Sequence, residues 1–130
     1  MADGRLNRVF GWTWLIVWLL FGAYLELKLG DPVWSREAHA FPREVWRAAH
    51  AHGNLLAILN ILYGHFLASA ALGDGARRLG SGLMALGALI FPLGLVGVAF
   101  APSLINLTPL GGACVVVAVG IMAYGQWKAR

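Results

Sequence analysis

Four long apolar segments, residues 10–29, 48–72, 79–101 and 105–127, constrain this chain more than any other feature. Each reaches the length of about 20 residues that a helix needs to cross a hydrocarbon core about 30 Å thick. None alternates polar and apolar residues as a barrel strand does. A backbone surrounded by lipid must satisfy its own hydrogen bonds, which leaves helix as the state of all four. The expected fold is therefore all-α, an integral membrane four-helix bundle. At 130 residues it makes a single domain.

Composition supports the same class. Apolar residues make up 59% of the chain and charged residues 12%, against about 25% charged in a soluble domain. That leaves too little polar surface for a water-soluble enzyme and too much apolar surface for a disordered chain. The net charge of +4 does not indicate a nucleic-acid partner, because the ten basic residues sit at segment ends and form no run. Cys114 is the one cysteine, so no internal disulfide forms.

The first segment follows Arg5 and Arg8, as a signal peptide would. Its apolar run exceeds the usual limit of about 15 residues, and it ends at Glu26 and Lys28 rather than in a small-residue cleavage site. It reads as an uncleaved span. A polar stretch, 30–47, leads to the second span, with Pro42 suited to the first turn of a helix running to about Leu72. Residues 73–78 read as a tight polar turn, and 102–104 as a short uncharged connection.

Arg5, Arg8, Arg77, Arg78, Lys128 and Arg130 flank one side, and Lys28, Arg36, Arg43 and Arg47 the other. This bias places both termini in the cytoplasm. Trp12, Trp14 and Trp127 fit the inner interface, and Trp34 and Trp46 the outer one. Gly80, Gly87, Gly94 and Ala101 recur every seven residues. They form a seam where another helix can approach closely. Pro92 is expected to kink the third span, with neighbours satisfying the freed carbonyl.

Polar residues within a span are costly and need a reason. The second span holds most of them: His50, His52, Asn54, Asn60, Tyr63 and His65. At about 100° per residue, His50, Asn54 and His65 share one small, polar stripe, while His52 lies about 160° from His50. His50 and His65 are separated by about 22 Å of helix rise and cannot share an ion. Antiparallel pairing of the first two spans is expected to bring Glu26 level with His50 near the outer surface. His39 lies in the intervening loop, and Asn106 opens the fourth span on that side.

One expectation is a metal site with Glu26, His39, His50 and His52 as ligands, supported by hydrogen bonds from Asn54, Arg47 and Asn106. Imidazole and carboxylate suit Zn, Cu or Fe. A helix aims the two rings of His-x-His apart, so a shared ion would need a local opening near Gly53. A second expectation is haem b, whose second axial ligand would have to come from His39 or from another copy of the chain. A third treats the polar residues as hydrogen bonds between helices, with Glu26 paired to Arg47 or a histidine. In that case the chain is a structural or accessory subunit whose third span docks a partner helix. A fourth makes His50, Asn54, Asn60 and His65 the steps of a proton or solute conduit. No catalytic motif is present, and neither a substrate nor an open coordination position can be named.

Residues 22–26, Gly-Ala-Tyr-Leu-Glu, followed by 43–56, Arg-Glu-Val-Trp-Arg-Ala-Ala-His-Ala-His-Gly-Asn-Leu-Leu, carry a resemblance. This pattern resembles a group of small four-span bacterial membrane proteins, with a Glu ending the first span and Ala-His-Ala-His-Gly opening the second. The resemblance covers about the first half of the chain. It implies the span count and the Glu/His cluster as a unit, and the expected location is a bacterial inner (cytoplasmic) membrane. It implies no activity. Where that group carries Thr after His-Gly, this chain has Asn54. Lipid is the expected partner, with a second copy or another membrane subunit as further candidates.

Overall fold

The computed structural model describes residues 4–129, so Arg130 lies outside the described residues. They form four helices: α1, Arg5–Leu29; α2, Ala40–Phe66; α3, Asp74–Val98; and α4, Leu107–Lys128. Short 3-10 turns, Glu37–His39 and Pro102–Asn106, precede α2 and α4. There is no strand among the described residues.

Pairing runs in chain order. α1 lies along α2, α2 along α3 and α3 along α4, with a smaller contact between α1 and α3. Small residues set the pairing. Gly4 has a φ of 76°, which glycine adopts without strain. Its backbone lies so close to Gly64 that a Cβ on either would overlap the other's backbone. Further along, Gly11 meets the Ala57 carbonyl and Ile61, the Trp18 indole fills the space over Gly53, and the His50 ring covers Gly22. These contacts fix the register of α1 on α2.

The register corrects the expected boundaries. Gly64 is level with the start of α1, so the part of α2 facing α1 ends at Gly64 rather than at residue 72, and reaches back past residue 48 to Trp46. α2 ends at Phe66, and residues 67–73 turn back across α4. There the Ala71 N–H donates to the Gly125 carbonyl at 3.0 Å. The expected turn at 73–78 is instead the first turn of α3, with Gly73 as its extended N-terminal residue. Arg77 reaches back to the connection and donates to the carbonyls of Ala70 at 2.8 Å and Leu72 at 3.0 Å.

The glycine seam of α3 is filled within the chain. A Cβ on Gly87 would lie 2.7 Å from the Gly111 carbonyl oxygen, and one on Gly94 would lie 3.0 Å from Leu107. α4 answers with its own buried small residues at the same spacing, Gly111, Ala118 and Gly125. A spacing of seven on both helices is the repeat of a left-handed supercoil. The seam expected to dock a partner is thus occupied by α4.

α3 runs unbroken through Pro92. Proline has no N–H, so the carbonyl four residues back loses its helical partner. That carbonyl belongs to Ala88, and the Trp14 indole N–H donates to it at 2.9 Å.

The exterior is apolar. Leu20, Leu27, Phe100 and Val116 are among many large side chains left exposed. α1, α3 and the segment Pro102–Lys128 are long and apolar enough to cross a membrane. α2 is long enough but more polar, and it is the helix that α1 and α3 both cover.

Candidate functional site

The α1–α2 register decides where the polar side chains fall. The deepest set ties three helices together. Asn7 Nδ2 donates to Asn60 Oδ1 at 2.9 Å and to the Ser81 carbonyl at 3.0 Å. The Ser81 hydroxyl donates to Asn7 Oδ1. Asn60 Nδ2 donates to the carbonyls of Leu56 at 3.0 Å and Met84 at 3.2 Å. Asn7 and Asn60 are fully buried. Asn60 was a candidate conduit step, and it is enclosed in this network. Asn7 lay in a flank that sequence reasoning treated as outside the span, and Ser81 was hidden beside the glycine seam. The available signal was position, because Asn7 shares a face with Gly4, Gly11 and Trp18.

The second set surrounds His50. Its Nδ1 lies 3.0 Å from the Trp18 carbonyl. A carbonyl only accepts, so Nδ1 carries a proton in this contact. Asn54 Nδ2 donates to the His50 carbonyl at 3.0 Å and lies 3.3 Å from Nε2. Asn54 Oδ1 and Trp18 Nε1 are buried without a hydrogen-bond partner among the described residues. His50 is therefore level with Trp18 and Gly22, near the middle of α1. Glu26 lies about 6 Å further along the axis than Gly22, which removes the expected match in depth.

His52 points elsewhere. It is exposed, its Nδ1 lies 2.8 Å from the Ala48 carbonyl, and its ring lies 4.9 Å from the Phe91 ring on α3. The same logic puts a proton on its Nδ1. α2 remains helical through Gly53, so the two histidines stay on different faces.

The other candidates disperse. Glu26 is exposed, and Arg47 pairs with Glu44 at 3.4 Å rather than with it. The bond to Glu44 lies on one exposed helix face. Half-buried His39 leaves Nδ1 without a partner among the described residues. Asn106 is exposed and makes no capping bond at α4. His65 is exposed, with its ring edge-on to Phe66 at 5.1 Å. Among the described residues no group of three or more His, Cys, Asp or Glu side chains is placed to hold a metal ion.

A third feature is aromatic. Trp34, Trp46, Phe21, Tyr24 and Phe100 cluster where α1, the α1–α2 connection, α2 and the end of α3 meet. Trp46 also donates from Nε1 to the Val96 carbonyl at 3.2 Å, in the last turn of α3. Trp34 and Trp46 thus pack the end of the bundle.

The chain matches no family model, no curated protein and no solved structure.

Proposed function

We propose that the chain is an integral protein of a bacterial inner (cytoplasmic) membrane. It crosses the bilayer four times, with both termini cytoplasmic, and serves as a structural or accessory membrane subunit that does not dock through the α3 seam, which α4 fills. One observation carries this reading: α2 bonds its deepest polar side chains to α1 and α3. Asn60 is tied to Asn7 and to the Met84 carbonyl, and His50 to the Trp18 carbonyl. Polar groups used this way act as interhelical glue. They allow a helix of moderate polarity to sit in lipid behind two apolar ones. The excess of Arg and Lys at the α2–α3 connection and both termini supports the orientation. The bacterial setting rests on the resemblance of residues 22–26 and 43–56. A metal centre on Glu26, His39, His50 and His52 draws no support from this arrangement.

Cysteine labelling in intact cells tests the reading. In a Cys114→Ala background, Ser35→Cys should react with a membrane-impermeant maleimide, and Gly75→Cys only after permeabilisation. The reverse pattern would overturn the orientation. Labelling of both without permeabilisation would overturn the crossing by α2.

A further inference from the structure

We draw no further inference here: the strongest candidate, the apolar groove of about 240 Å³ between α2, α3 and α4 that Leu59, Phe66, Met84 and Met122 help to line, is an unpartnered apolar face, and nothing in the structure shows what covers it.

Discussion

The indole N–H of Trp14 donates to the carbonyl of Ala88, the carbonyl of α3 that Pro92 leaves without a helical partner. A side chain from α1 therefore completes the hydrogen bonding of α3. Trp14→Phe keeps an aromatic ring but removes the donor, and should destabilise the protein by about 1–2 kcal/mol. Pro92→Ala returns an N–H to α3. In that background Trp14→Phe should cost much less. Thermal unfolding of the four proteins in detergent micelles gives the coupling. Additive effects would show that the bond to Ala88 contributes nothing.

Asn7 and Asn60 should behave as one unit. Each alanine substitution alone leaves a buried amide with fewer partners, so the second substitution should cost less than the first. Interhelical bonds in membranes are worth about 0.6 kcal/mol on average and up to about 1.7. Coupling near the upper value is expected here, because both side chains are fully buried. The double-mutant cycle, read from reversible unfolding in mixed micelles, checks it. Asn60→Leu should also loosen α3, whose Met84 carbonyl would lose its side-chain donor.

Much of the fold was legible in the residues, and the candidate site much less so. Apolar run length gave the helices, and the spacing of Gly80, Gly87 and Gly94 marked a close-packed seam. The sequence could not say which helix fills that seam, since a second copy and α4 offer the same chemistry. The helical wheel separated His50 from His52 correctly, because that angle depends only on helix geometry. Depth was misjudged because it depends on the α1–α2 register. Gly4 against Gly64 and Trp18 against Gly53 set that register, and neither pair is adjacent in sequence. The Glu26–His50 match failed for this reason. Asn7 and Ser81 were missed because each looks unremarkable until three helices converge.

The α3–α4 seam offers a test in which one position should fail and its neighbour tolerate change. A side chain at Gly87 would meet the Gly111 carbonyl, Val115 and Cys114, while around Gly82 there is open space within 4 Å. Gly87→Leu should cost about 2–3 kcal/mol or more, since overpacking forces backbones apart. It should also speed N-ethylmaleimide labelling of Cys114, now half-buried against α3. Gly82→Leu should leave stability and labelling near the parent values. Equal tolerance at both sites would mean that α4 does not seat on α3 at this seam.

Trp18 and Gly53 should be separable from both sides of their contact. Trp18 is almost fully buried, and its indole occupies the space a side chain at 53 would need. Gly53→Ala improves intrinsic helix propensity by about 1 kcal/mol. It should nonetheless destabilise the protein, because the methyl overlaps the indole. Trp18→Ala should cost about 3–5 kcal/mol through the cavity it leaves. In the Trp18→Ala background the methyl at 53 has room, and Gly53→Ala should become neutral or stabilising. That reversal of sign, measured by unfolding in micelles, distinguishes a steric register lock from a propensity effect. If Gly53→Ala stabilises the parent protein as well, the indole does not set the α1–α2 register, and the mid-helix placement of His50 loses its basis.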